Sequence, residues 1–398
     1  MGVTLYNTSM NRIKLAYTDD DLYNFSMSWA FQMFPDIKVR YRYINRMKDF
    51  RFPDGFDKVL QQQCEMCDDL VITPAEESYL GSKPWYPRTF LKTLHGIRLN
   101  HKDVTISQKD GLLDIAIEGY PYEVCFWECT LLPTITQMVN MDLATGQMKP
   151  MAPDWKDRIR RKADAFSTAG VNWVDFGTRR RYSTEVHQEV VRIMKEYTPY
   201  FRGTSNVFLA MTNGISAVGT YAHQWEQLCQ AIFGPRMAAH MAMKLWAERY
   251  HGNLGTALSD TLTTEYFLKA FDSYFANLFT GCRQDSGNPF VFTDKFVAHY
   301  KSLGIDPSTK IIVFSDGLDT EKAIRLHEYC KGKIRCTMGI GTYLTNDVGY
   351  RPMNHVVKMS EVFFQGEWIP VVKLSDDVGK HTGDEDVIKH VIRELRLR

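Results

Sequence analysis

Lys310-Ile-Ile-Val-Phe-Ser-Asp-Gly317 is the stretch that decides the fold. Four apolar residues run without a break and then stop at a hydroxyl, a carboxylate and a glycine. A short uninterrupted apolar run of this kind predicts a strand buried on both faces, as in a parallel sheet covered by helices. The same rhythm recurs in Val171-Asn-Trp-Val-Asp-Phe-Gly177, Asn206-Val-Phe-Leu-Ala210 and Arg335-Cys-Thr-Met-Gly-Ile-Gly-Thr342, and more weakly in Leu254-Gly-Thr-Ala-Leu-Ser-Asp260. Each apolar run ends in small or polar residues, and a helical stretch follows. Strand, polar loop and helix repeated in this way predict a parallel α/β sheet. Its chemistry should gather at the carboxyl ends of the strands, where the polar residues sit.

The flanks read differently. Lys38-Val-Arg-Tyr-Arg-Tyr43 alternates like a half-buried strand, and 104–117 reads as a hairpin around Lys109-Asp110-Gly111. Residues 56–71 look helical, as do 127–139 despite Pro133. After Tyr350 strand character returns around Gln365-Gly366-Glu367. The chain of 398 residues is too long for one simple core. The expected division is an N-terminal α+β domain over 1–138, an α/β barrel domain over 139–352, and a C-terminal segment, 353–398, packing with the N-terminal domain.

A net charge of +1 gives no basis for a nucleic-acid surface or an anionic membrane partner. No apolar run approaches the ~20 residues of a membrane span, and Asp19, Asp20 and Asp21 interrupt the first thirty residues. A cytoplasmic location is expected. The eight cysteines are sparse for a disulfide framework. Cys64-Glu-Met-Cys67 falls in a helical run without the turn residues of a zinc knuckle, so ordinary reduced thiols are expected.

Four strand-end clusters suit a phosphorylated sugar. Gly339-Ile-Gly-Thr342 offers bare backbone N–H groups and a hydroxyl, as phosphate loops do. Ser315-Asp-Gly-Leu-Asp319 puts carboxylates where ribose hydroxyls or magnesium would bind, though an acid there also caps helices. Arg283-Gln-Asp-Ser-Gly287 places a cation beside an anion, and arginine grips planar acids and phosphates bidentately. Asp175-Phe-Gly-Thr-Arg-Arg-Arg181 sets three cations directly after a strand. A fifth feature is Gly219-Thr-Tyr-Ala-His-Gln-Trp225, a turn running into a helix over 222–233. His223 then lies in the first helical turn, where the dipole keeps an imidazole neutral and favours a negative group placed on it. Taken together these residues predict a phosphosugar enzyme on an α/β barrel.

The motifs jointly resemble the nicotinate phosphoribosyltransferase family. The matching residues are Asp21-Leu-Tyr23, Asp175-Phe-Gly-Thr-Arg-Arg180, Gly203-Thr-Ser-Asn206, Gly219-Thr220 with His223, Arg283-Gln-Asp-Ser-Gly287, Ser315-Asp-Gly-Leu-Asp319, Gly339-Ile-Gly-Thr342 and Lys373-Leu-Ser375. Asn24 departs from the pattern, which has a lysine after the tyrosine. The resemblance implies an irregular α/β barrel of the type II phosphoribosyltransferases with an α+β sandwich built from both termini. It implies a homodimer with shared active sites. It also implies transfer from phosphoribosyl pyrophosphate to nicotinate, giving nicotinate mononucleotide and pyrophosphate. ATP as co-substrate drives this reaction through a phosphohistidine, with Mg2+ assisting.

By the same resemblance His223 is the residue phosphorylated, and Asp285 and Asp316 hold ribose hydroxyls or magnesium. Tyr23 of one subunit and Phe176 of the other sandwich the pyridine ring. Arg283 binds the nicotinate carboxylate with Thr220 nearby, and Arg179 reaches a phosphate or that acid. Ser315, Gly317, Gly341 and Thr342 line the sugar phosphate. Two alternatives stay open. The related nicotinamide enzyme carries an acid after its Gly-Thr, where this chain has Tyr221. A non-catalytic phosphoribosyl-binding barrel would not need His223, Arg283, Asp285 and Asp316 together.

Overall fold

The computed structural model describes residues 10–377 and 380–397. Its centre is a six-stranded, all-parallel sheet. The strands are β6 (Trp173–Asp175), β7 (Phe201–Thr204), β8 (Thr256–Leu258), β9 (Gly281–Gln284), β10 (Ile311–Phe314) and β11 (Arg335–Ile340). They lie side by side in the order β7-β6-β11-β10-β9-β8. The decisive stretch is β10. Ile312, Val313 and Phe314 are buried, and the strand pairs with β9 on one side and β11 on the other. The barrel is irregular because β7 and β8 do not pair directly. An extended segment at 216–218 runs along β7 instead, with Thr204 N–H donating to Ser216 O (3.1 Å) and Val218 N–H to Thr204 O (2.9 Å). That segment leads straight into Gly219-Thr220.

A second sheet is antiparallel. It contains β1 (Lys38–Asn45), β2 (Val104–Lys109), β3 (Leu112–Gly119), β12 (His355–Phe364) and β13 (Glu367–Pro370), in the order β13-β12-β1-β3-β2. A two-stranded hairpin, β4 (Met141–Asp142) with β5 (Gln147–Met148), stands apart. Along β1 the alternation holds: Val39, Tyr41 and Tyr43 are buried, while the lysine and arginines between them face outward. The β2–β3 turn uses Asp110 and Gly111 at positive φ (51° and 72°), and the β12–β13 turn uses Gln365 and Gly366 (53° and 90°). Two consecutive left-handed residues match the twist of the strands they join. Because β12 pairs with β1, both ends of the chain build this sheet.

The helix His223–Phe233 lies between the two sheets. The Tyr41 hydroxyl donates to Gln224, and Gln227 Nε2 donates to Met359 O on β12 (3.2 Å). The N-terminal arm is fixed to the barrel's strand ends. Leu22 N–H donates to Ser205 O (2.8 Å), and Val207 N–H donates to Asp20 O (2.8 Å).

Three expectations change. Asn206–Ala210 is not a strand; the strand is β7, just before it, and Val207–Asn213 is a helix capped by Asn206, whose Oδ1 accepts from Leu209 N–H (3.0 Å). A four-residue apolar run fits either state, and the capping asparagine was the signal for helix. The 56–71 helix stops at Glu65. The tail packs with both bodies, not the N-terminal one alone. After β13 it crosses to the barrel, where Leu374 N–H donates to Thr261 O (2.7 Å). The helix Glu385–Leu395 then buries Val391 and Leu395 with Ala238, Leu262, Val372 and Leu374. The thiols are all free, and no described helix is long and apolar enough to cross a membrane.

Candidate active site

Four barrel strand ends converge with the antiparallel sheet and the tail on one cleft of about 390 Å3. From β6 come Phe176, Arg179 and Arg180; from β9, Arg283 and Asp285; from β10, Ser315, Asp316 and Gly317; from β11, Gly341 and Thr342. The antiparallel sheet and the tail close the other side with Arg46, His355, Lys358, Lys373 and Lys380. Seven cations thus face two carboxylates, an excess that suits a polyanion. A larger hollow of about 540 Å3 opens beyond Ser286 and Ser375, between helix Pro289–Ser302 and the tail. Convergence of strand ends, not size, picks out the cleft.

Behind the cleft a recess of about 40 Å3 shares Arg179, Arg283, Asp285 and Lys358 with it, and adds Tyr23, Glu128 and His223. That volume holds little more than a water. His223 opens its helix as expected, after Ala222 in extended conformation. Its Nε2 lies 2.9 Å from Asp260 Oδ1 and 3.7 Å from Asp285 Oδ2. Asp260 is almost fully buried and also receives Lys373 Nζ (2.9 Å) and the Ser286 hydroxyl (2.6 Å). Burial alone would raise its pKa, but His223 and the Lys373 ammonium hold it well below the usual carboxylate range. His223 is pushed down to about 4 by burial and by Lys373, against the pull of Asp260. The imidazole is therefore neutral at pH 7 and the carboxylate ionised. Asp260 can only accept, so the histidine's proton belongs on Nε2 and the lone pair on Nδ1.

Arg283 donates through Nη1 to Thr220 Oγ1 (3.3 Å) and through Nη2 to Asp285 Oδ2 (3.5 Å). Its Nε is buried and has no acceptor among the described residues. The Ser315 hydroxyl donates to Asp285 Oδ1 (2.7 Å). The Asp316 carboxylate accepts nothing from the described residues, and burial with the nearby Asp285 raises its pKa. Two hard carboxylates at neighbouring strand ends, one of them unpartnered, fit a magnesium ion that keeps waters and phosphate oxygens as its other ligands. A tighter donor set is His223, Asp260 and Asp285, with ligand atoms within 4.8 Å of one another. It is already engaged by Lys373, Ser286 and Arg283.

Phe176 lies against Gly339: a Cβ built on that glycine would sit 2.4 Å from the ring. Only glycine at 339 leaves the phenyl its place in the cleft. Tyr23 and Arg179 share Glu128, whose Oε2 accepts from the Tyr23 hydroxyl (2.9 Å) and whose Oε1 lies 3.3 Å from Arg179 Nη1. Tyr23 reaches the recess from its own chain, because the arm at 18–22 is hydrogen-bonded to that chain's strand ends. The three-cation run also divides. Arg179 and Arg180 line the cleft, whereas Arg181 is buried in a bidentate pair with Asp19 (2.6 and 2.7 Å).

Eleven of the twelve expected residues border the cleft or the recess; Thr220 meets the site through Arg283. Sequence reasoning had assigned no role to Arg46, Glu128, Asp260, Lys358, Lys373 or Lys380. Asp260 and Lys373 stood inside quoted motifs. Lys358, among the buried Val356, Val357 and Met359 of β12, carried the signal of a charge in an apolar strand.

Comparison with known proteins agrees over nearly the whole length. Residues 171–397 match the nicotinate phosphoribosyltransferase family, and 18–136 match that family's N-terminal domain. The chain is 40% identical over 384 residues to a nicotinate phosphoribosyltransferase of Chromohalobacter salexigens, covering 95% of this chain and 97% of that protein. A relative of the same name from Desulforapulum autotrophicum is also 40% identical, over 385 residues, with 95% and 97% covered. The crystal structure of nicotinate phosphoribosyltransferase from Porphyromonas gingivalis superposes with a TM-score of 0.92 at 36% identity, over 96% of this chain and 99% of that one. With the motifs in order and the fold shared from end to end, the chain belongs to the nicotinate phosphoribosyltransferase family.

Proposed function

We propose that the chain transfers the phosphoribosyl group of phosphoribosyl pyrophosphate to nicotinate, releasing nicotinate mononucleotide and pyrophosphate, and couples this to ATP hydrolysis through phosphorylation of His223. The observation that carries the reading is a neutral histidine with a free Nδ1, held by a buried Asp260–Lys373 pair beside a cationic cleft. Nδ1 attacks the γ-phosphorus of ATP, the bond to the bridging oxygen breaks, and ADP leaves. Asp260 keeps the Nε2 proton and stabilises the charge that develops on the ring. Lys358, Lys373 and Asp285 would then sense a new dianion, which shifts the balance of charge in the cleft.

In the transfer step nicotinate attacks the anomeric carbon through its ring nitrogen, which needs no general base. Arg283, which borders both cleft and recess, takes the carboxylate, and Phe176 offers a face to the ring. The recess is smaller than a six-membered ring bearing a carboxylate. Gly341 and Thr342 suit the 5′-phosphate, and the lysines and Arg46 suit the pyrophosphate as charge builds on it. Asp285 and Asp316 would hold Mg2+, which neutralises the pyrophosphate oxygens when bound. A homodimer with shared active sites, in which Tyr23 of one subunit faces Phe176 of the other, is part of the proposal.

The test is to incubate the protein with nicotinate, phosphoribosyl pyrophosphate and Mg2+, with and without ATP. Nicotinate mononucleotide should form in both, faster with ATP, and acid-labile phosphate should appear on the protein. No mononucleotide under either condition rejects the reading.

A further inference from the structure

We propose that Lys162, which lies outside the cleft, is a positioning residue for the sugar-phosphate turn; the inference rests on the transferase reading above. Lys162 sits on the helix Trp155–Thr168 with its side chain 7% exposed. Its ammonium donates to Tyr343 O (2.6 Å) and to Asp347 Oδ2 (2.7 Å), and it lies 3.8 Å from the centre of the Tyr343 ring. Asp347 is also held by Arg158 Nη1 (3.2 Å). A nearly buried ammonium, its charge already met by Asp347, holds the Tyr343 carbonyl in place, since losing that carbonyl would leave a buried N–H without an acceptor.

The carbonyl belongs to the turn that follows Gly341 and Thr342 in the β11 loop, and two further substrate loops are tied to that turn. The Tyr343 hydroxyl meets Thr320 Oγ1 (3.0 Å), at the end of the Ser315–Asp319 loop. The Thr345 hydroxyl donates to Gly177 O (2.9 Å), and Asn346 Nδ2 donates to Arg180 O (2.9 Å), both in the loop that bears Phe176 and Arg179. The 342–346 turn is thus the shared anchor of the β6, β10 and β11 loops, and Lys162 holds it from beneath. Small errors in placing phosphate-binding groups weaken binding steeply.

The test compares Lys162→Met, Lys162→Arg and Tyr343→Phe with the unaltered protein. Lys162→Met should raise KM for phosphoribosyl pyrophosphate by roughly tenfold, the scale of one lost charged hydrogen bond, while KM for nicotinate stays within about twofold. Lys162→Arg should recover most of that rise. Tyr343→Phe removes only the link to Thr320 and should give a smaller change in the same parameter, so it serves if Lys162→Met fails to fold. Unchanged KM in Lys162→Met, or equal rises for both substrates with no recovery in Lys162→Arg, overturns the proposal. If the unaltered protein makes no mononucleotide, the transferase reading fails by itself. Ribose 5-phosphate affinity by calorimetry then tests Lys162 separately: a tenfold loss in Lys162→Met supports it and equal affinity refutes it.

Discussion

Two buried clusters of charge sit at the carboxyl ends of the parallel strands, and they do opposite things. In the first, Asp19 takes both terminal nitrogens of Arg181 and the amide of Asn206. Burial would raise the Asp19 pKa, but Arg181 holds it far below the usual range. Both carboxylate oxygens are used, and the pair rivets the N-terminal arm to the barrel. In the second, Asp260 is as deeply buried and as fully bonded, but its partner His223 keeps a lone pair in hand. Burial of charge therefore does not mark a reactive site. The mark is an atom with unused bonding capacity facing a cavity.

The widest separation between the clusters should come from removing the histidine. His223→Ala is expected to abolish ATP hydrolysis and protein phosphorylation while folding normally, as followed by radiolabelled ATP and circular dichroism. Normal phosphorylation in this variant would move the reactive atom elsewhere. The mirror experiment is Asp19→Ala, which strands Arg181 in the interior. Breaking one partner of a buried pair costs about 3–5 kcal/mol. The denaturation midpoint should fall accordingly, and whatever protein stays folded should still accept phosphate on His223. A change below about 1 kcal/mol would mean that Asp19–Arg181 is not the rivet described here.

Acid titration sharpens the contrast. His223 has its pKa lowered to about 4, against 6.5 for the free side chain. Between these values the unfolded chain binds the extra proton, so this residue's contribution to stability is present above pH 6.5 and is lost as pH falls towards 4. The loss is on the order of 3 kcal/mol at most. Asp20 has the opposite sign: burial raises it to about 6, so its contribution fades as pH rises through the same window. Stability of His223→Gln against pH 4–7 should lack the histidine slope and retain that of Asp20. Identical curves for the two proteins would contradict a neutral, buried His223.

Arg283 stands between the extremes, with two nitrogens bonded and Nε without an acceptor among the described residues. Nicotinate should be used at least roughly 30-fold better than nicotinamide, as kcat/KM, from loss of part of a buried charge pair. Arg283→Gln should shrink that ratio mainly by weakening nicotinate. Equal use of both bases by the unaltered enzyme would promote nicotinamide as the substrate. An unchanged ratio in the variant would pass carboxylate recognition to Arg179.

What could be read from the sequence follows the same division. β10 and β11 were legible because buried parallel strands are apolar throughout, and a polar residue ending such a run has few reasons to be there but chemistry or capping. The Asp110-Gly111 and Gln365-Gly366 turns were legible because left-handed backbone restricts residue choice. Asn206–Ala210 was misread because four apolar residues carry no period. The second layer of the site was hidden for a topological reason. Lys358 and Lys373 reach His223 only because β12 pairs with β1 and the tail crosses to Asp260, and nothing local in either segment announces that path. Arg181 looked like its two neighbours, and only its distant partner, Asp19, sets it apart.

The pairing of β1 with β12 has a consequence for how fast the molecule can be made. Arg40 meets Glu361 across that pair, 321 positions along the chain. Contacts between such distant segments repay their ordering entropy only after the intervening chain is compact. Apart from the pairing of β6 with β11, neighbouring barrel strands are consecutive in the chain and can form before that. On refolding, native-like parallel-sheet structure should therefore appear first, and the wall that carries His355, Lys358 and Lys373 should dock last. Recovery of enzyme activity would then lag behind recovery of secondary structure, with the delay set by the closing of one long-range strand pair.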